Sequence, residues 1–101
     1  MRHFLLSVAG LALASCATYE NATMYGMWRD VTREDIVAAV AAARAQAEKF
    51  KEPRVNLEII DVGSRDEIQL LWDQTGPHRA HDYIKRIHGR WQWVTETIDV
   101  G

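Results

Sequence analysis

The chain has 101 residues, 48% of them hydrophobic and 26% charged, which leaves room for one globular domain and excludes a disordered or wholly membrane-embedded protein. Twelve basic residues against 14 acidic give a net charge of −2, so there is no basic field to hold a phosphate backbone, and a nucleic-acid partner is not expected. A single cysteine excludes an intrachain disulfide.

Met1-Arg2-His3 makes a short basic start, and Phe4 to Ala14 is an apolar run broken only by Ser7 and Gly10, the layout of a signal peptide. Crossing a bilayer takes about 20 apolar residues, so this run is expected to be removed rather than to remain as a transmembrane helix. Leu13-Ala14-Ser15-Cys16 resembles the lipobox of bacterial lipoproteins, in which small residues enter the processing site and the cysteine thiol receives a diacylglycerol. The resemblance implies a signal peptide over residues 1–15, lipidation of Cys16 with fatty acyl chains such as palmitate, and attachment to a membrane through that lipid. Because Ala17 rather than an aspartate follows, it also implies delivery to the bacterial outer membrane, with the domain facing the periplasm. The alternative is an ordinary secretory signal cut near Ala14 or Ala17. The lipid reading has one point of internal consistency: the only cysteine would be consumed by the anchor, leaving no free thiol in an oxidising compartment.

Removing residues 1–15 takes Arg2 with them and leaves 86 residues with a net charge of −3. Residues 17–30 show no clean period and are expected to form, with Cys16, a tether reaching about 45 Å if fully extended. Tyr25, Met27 and Trp28 are too apolar for a pure spacer, so its distal half is expected to dock on the domain of residues 31–101. Asn21-Ala22-Thr23 matches a glycosylation acceptor, read here as an accidental tripeptide.

A helix starts at a well-marked point. Thr32 can cap the amide of Asp35, Glu34 and Asp35 suit the positive end of the helix dipole, and Val31 and Ile36 have the spacing of a hydrophobic staple. Ile36, Val40, Ala43, Ala47 and Phe50 then recur at steps of three and four, and Pro53 stops the helix near Glu52. The alanines favour the helix and allow close approach to a sheet.

After Pro53 the period becomes two. Val55, Leu57 and Ile59 form one alternating run and Ile68, Leu70 and Trp72 another, joined by a four-residue turn at Gly63-Ser64-Arg65-Asp66. That turn pairs Val62 with Glu67, Ile59 with Leu70 and Leu57 with Trp72. After a loop at Thr75 to His78, strands at 82–87 and 90–98 are joined by His88-Gly89 as a two-residue hairpin, which opposes Arg86 to Trp91 and Ile84 to Trp93. The expected fold is α+β, one N-terminal helix packed on a four-stranded antiparallel meander.

Tyr83-Ile84-Lys85-Arg86-Ile87-His88-Gly89-Arg90-Trp91-Gln92-Trp93-Val94 is similar to the closing hairpin of many cystatin-like and nuclear-transport-factor-like domains, where a turn glycine precedes a basic residue and a tryptophan. The likeness spans about residues 31–98 loosely and implies a curved sheet wrapped on a helix. With one helix instead of three, no deep conical pocket is implied, and members of that superfamily serve as enzymes, binding modules, immunity proteins and inhibitors.

His78, His81 and Asp82 are the nearest approach to a metal-ligand set, but no second cluster has ligand spacing, and a solvated polar loop is the expected reading. The mature chain has no nucleophile elbow, phosphate-cradling loop or thiol and histidine pair. His81 with Asp82 or Asp73 could act as a base and its partner, as in proton-abstracting members of the resembled superfamily, but no sequence pattern sets the hydrogen-bond geometry this needs, so no catalytic residues, no metal and no cofactor are expected. The second face of the sheet carries Ile60, Val62, Leu71, Tyr83, Ile87 and Val94 among Glu58, Gln69, Lys85 and Gln92, a mixture that suits protein binding. Leu71, Tyr83, Ile87 and Val94 are therefore the expected binding residues. The sequence thus points to a lipid-anchored periplasmic protein whose non-catalytic domain binds an envelope protein or other envelope component. The alternative is a small-ligand binder or degenerate enzyme with a shallow cavity between helix and sheet, near Trp72, Trp91 and His81.

Overall fold

The computed structural model describes residues 18–97. Seven main elements occur in chain order: β1 (Thr18–Tyr19), β2 (Ala22–Gly26), α1 (Arg33–Phe50), β3 (Leu57–Ser64), β4 (Glu67–Trp72), β5 (Ala80–Ile87) and β6 (Arg90–Thr97), with a single 3-10 turn at Trp28–Asp30 before the helix. The α+β class, with one α-helix among the described residues, is as the sequence implies. The sheet is not. It has six strands in the order β1-β2-β3-β4-β5-β6 and is mixed, where a four-stranded antiparallel meander was expected.

The two extra strands come from the stretch expected to be a tether. β1 and β2 form an antiparallel hairpin through Thr18 opposite Thr23 and Tyr19 opposite Ala22. β2 then lies parallel to β3, with Thr23 beside Ile59 and Tyr25 beside Asp61. Parallel neighbours need a long crossover, and α1 supplies it by returning the chain across one face of the sheet. At two and five residues these strands are too short to display a period, which is why the sequence hides them. Gly26 fixes the exit from β2: its φ of +82° belongs to the left-handed region, and a Cβ there would collide with the Val62 carbonyl. The next amide, Met27 N–H, donates to that same carbonyl at 2.7 Å.

The helix begins as its sequence dictates. Thr32 Oγ1 accepts from the Asp35 amide at 3.0 Å, and Asp35 Oδ2 accepts from the Thr32 amide at 2.9 Å, a reciprocal capping box. At the other end Lys51 adopts φ +57°, and the amides of Lys51 and Glu52 turn back to Glu48 and Ala47 carbonyls. Ile36, Ala39, Val40, Ala43 and Ala47 are buried against the sheet. Phe50, expected on that stripe, is 53% exposed and meets Trp93 edge-on at 6.2 Å.

The β3–β4 pairing departs from expectation by one residue. Leu57 does oppose Trp72, but Ile60 opposes Leu70 and Val62 opposes Ile68, because register shifts fall between Leu57 and Ile59 and between Val62 and Ser64. A bulge inserts one residue and changes the phase of the alternation. As a result Ile60 and Val62, expected on the second face, are fully buried in the core with Ile68, Leu70, Trp72 and Ile84. Ile59 takes their place on the second face. The turn shortens to Arg65-Asp66 between Ser64 and Glu67. In the β5–β6 hairpin, His88 and Gly89 have φ of +54° and +78°, the left-handed pair that such a two-residue turn requires. Beyond Ile84 opposite Trp93, Tyr83 opposes Thr95, so Val94 is the extra residue of a bulge.

Candidate functional site

Successive side chains of a strand point to opposite faces, so the register defines two surfaces. One is filled by α1. The other has no helix packed on it among the described residues, and its side chains stand in rows. One row runs Tyr25, Asp61, Gln69, Tyr83 and Thr95 across five strands, and its neighbour runs Thr23, Ile59, Leu71 and His81.

Hydrogen bonds fix the polar members of this open face. Tyr83 donates its hydroxyl to Glu67 Oε2 at 2.6 Å, and Lys85 Nζ lies 3.6 Å from the same oxygen. Ionising the hydroxyl would forfeit that donated hydrogen bond and set a phenolate beside a carboxylate, so Glu67, with some desolvation, holds the Tyr83 hydroxyl above its usual value of 10.0. His81 Nε2 lies 2.5 Å from Gln69 Oε1. Gln69, His81, Tyr83 and Thr95 border a shallow depression of about 200 Å³. That is below the usual range for small-molecule pockets of roughly 300–1,000 Å³.

Of the expected binding residues, Leu71 and Tyr83 lie half-buried on this face, one strand apart. Ile87 and Val94 are exposed by 39% and 41%, one at the β5–β6 turn and the other at the β6 bulge. Tyr25, Ile59, Asp61, His81 and Thr95 are additional members that only the register could assign. Cys16, the expected lipidation site, lies outside the described residues.

The helix-covered face holds a second constellation that sequence reasoning missed. Asp82 is fully buried. Arg54 reaches it from the segment after α1, with Nε to Oδ2 at 2.7 Å and Nη2 to Oδ1 at 2.9 Å. The indole N–H groups of Trp72 and Trp93 donate to the same two oxygens, each at 2.9 Å. A carboxylate offers about four lone-pair sites, and here two donors meet each oxygen, so Asp82 has no free lone pair with which to hold a ligand. Two signals in the sequence pointed there: Ala80, Asp82 and Ile84 share the core-facing parity, and buried indoles need acceptors.

At the start of the helix, Asp35 Oδ1 also accepts from Arg86 Nη1 at 3.0 Å and from Trp91 Nε1 at 3.1 Å. Arg86 lies over the Trp91 ring at 4.8 Å and bonds Asp66 and the Arg65 carbonyl besides. Partial burial pushes the Asp35 carboxyl up, but the Thr32 amide, the Trp91 indole, the Thr32 side chain and Arg86 outweigh it and hold the group below 3.8.

His81 and Asp82, adjacent in sequence, therefore face opposite sides of the sheet and cannot act on one metal or one proton. His78 is exposed, with its amide bonded to Asp73 Oδ2 at 3.2 Å. Among the described residues no group of three or more histidine, cysteine or acidic side chains could hold a metal ion, and no helix is long and apolar enough to cross a membrane. The three residues of the expected helix–sheet cavity are likewise separated: Trp72 and Trp91 lie on the helix side and His81 on the open face. Neither a family model nor a curated protein nor a solved structure matches this chain.

Proposed function

We propose that this chain is a lipid-anchored protein of the bacterial envelope, held through Cys16, whose domain is a non-catalytic module that binds a protein through the open face of its sheet. The observation that carries this reading is the rows of Tyr25, Ile59, Leu71 and Tyr83 with Asp61, Gln69, His81 and Thr95, on a surface over which no described helix packs. Interleaved apolar and hydrogen-bonding groups of this kind suit a protein interface, and the depression is too shallow to enclose a substrate. The saturated Asp82 supports a binding role over chemistry, since the most deeply held carboxylate serves the fold. The curved-sheet architecture of cystatin-like domains is consistent with such a module, and the outer membrane is the proposed destination because Ala17 follows the cysteine.

Two experiments test the two halves separately. Globomycin should cause an uncleaved, lipidated precursor to accumulate, and its absence would remove the anchor. In crosslinking from intact envelopes, Leu71→Asp and Tyr83→Asp should abolish recovery of the partner while circular dichroism shows the domain still folded, and Ala45→Asp on the exposed side of α1 should leave recovery intact. Equal recovery from all three variants counts against the open face.

A further inference from the structure

We infer that the domain sits directly on the bilayer, with the end of the sheet that carries Tyr25, Met27 and Trp28 turned toward the lipid headgroups. This rests on the lipid-anchor reading of Cys16. Its argument is the length of chain between the anchor and the first residue of the sheet. A tether over residues 17–30 would have let the domain range by about 45 Å, but β1 begins at Thr18 and is paired to β2 there. Cys16 is two residues away, so its Cα lies within about 7 Å of Thr18 whatever path the chain takes.

Strand direction then selects the end that faces the lipid. β1 runs antiparallel to β2, so its upstream end points along β2 toward Tyr25 and Gly26. The surface there suits a membrane interface. Tyr25 and Met27 are 55% and 52% exposed, Arg29 stacks on the half-buried Trp28 at 4.9 Å, and Arg33 lies over Tyr19 at 5.1 Å. Aromatic rings and arginines, with apolar bodies and polar tips, are the groups that settle at headgroup level. Asp30 and Glu34 share this end, so shallow insertion of apolar groups carries the contact, with no net positive field required. Exposed Phe50 and Val55 sit at the far end of the domain, beyond a helix of 18 residues or about 27 Å. Composition alone would not choose between the two ends; the direction in which β1 enters the sheet does.

The experiment uses the full lipidated chain in vesicles of phosphatidylethanolamine and phosphatidylglycerol, with a fluorophore on Met27→Cys or, at the far end, on Glu52→Cys. The lipidated Cys16 thiol is not available to the label. Lipids with nitroxide headgroups should quench most of the emission at position 27 and little at position 52. A flexible insertion of roughly ten residues between Ala17 and Thr18 should abolish that difference. Tyr25→Cys replaces Met27→Cys should the latter fail to fold. If the protein carries its lipid and floats with the vesicles but both labels are equally unquenched, or position 52 is the more quenched, apposition is overturned and the anchor stands. If the protein carries no lipid and does not float, both fall together.

Discussion

At the scale of single residues, the Asp82–Arg54 pair shows how a buried charge is tolerated. Its side chains are 0% and 4% exposed, so desolvation is severe and is offset only because each carboxylate oxygen meets two donors. Asp82→Asn should therefore withdraw a full negative charge from a buried guanidinium and lower stability by about 3–5 kcal/mol in urea denaturation. Replacing both partners, as in Asp82→Leu with Arg54→Met, should cost less than either single change, because no stranded charge remains. Asp35 makes a pH-dependent contribution. Its folded pKa is depressed, so the ionised form favours the fold: the contribution is present above the ordinary value of 3.8 and is lost as pH falls through the lower, folded value. Thermal melts on the acid side should show a smaller drop for Asp35→Asn than for the parent chain over that window. For Tyr83 the sign is reversed. Its raised folded pKa gives stability that is present below 10.0 and lost as pH rises through the higher value, and Glu67→Gln should bring its phenolate absorbance transition down toward 10.0.

At the scale of elements, the helix and the hairpin carry their instructions locally, while the first two strands do not. Thr32 and Asp35 cap α1 by contacts three residues apart, and Thr32→Ala should cost about 1 kcal/mol in the same denaturation experiment. His88-Gly89 similarly determines the register of β5 and β6 from two left-handed residues. β2 instead depends on a partner more than thirty residues later in the chain. Gly26→Ala should destabilise more than a surface alanine substitution does, since it adds a left-handed strain and a clash with the Val62 carbonyl. The bulges in β3 are of the same distant kind. Nothing local in Leu57-Glu58-Ile59-Ile60 says which isoleucine keeps the core face, and the choice is made by which one packs with Leu70 and Met24 across the sheet.

At the scale of the whole molecule, the six-stranded sheet converts a presumed leash into part of the folded body. Limited proteolysis of the native protein should spare residues 18–26, where a tether would be cut first, because their backbone is paired in the sheet. By itself the sequence determined the α+β class, the helix with its Thr32 cap, and the hairpin around His88 and Gly89. These follow from neighbours within a few residues, or from a period long enough to read. Only the tertiary structure decided that β2 joins the sheet in parallel, that Ile60 and Val62 belong to the core while Ile59 faces outward, and that Asp82 is enclosed by Arg54 and two indoles. Each of these depends on contacts between residues distant in the chain. A one-residue bulge or a crossover helix changes which face a side chain meets without leaving a mark in the local pattern.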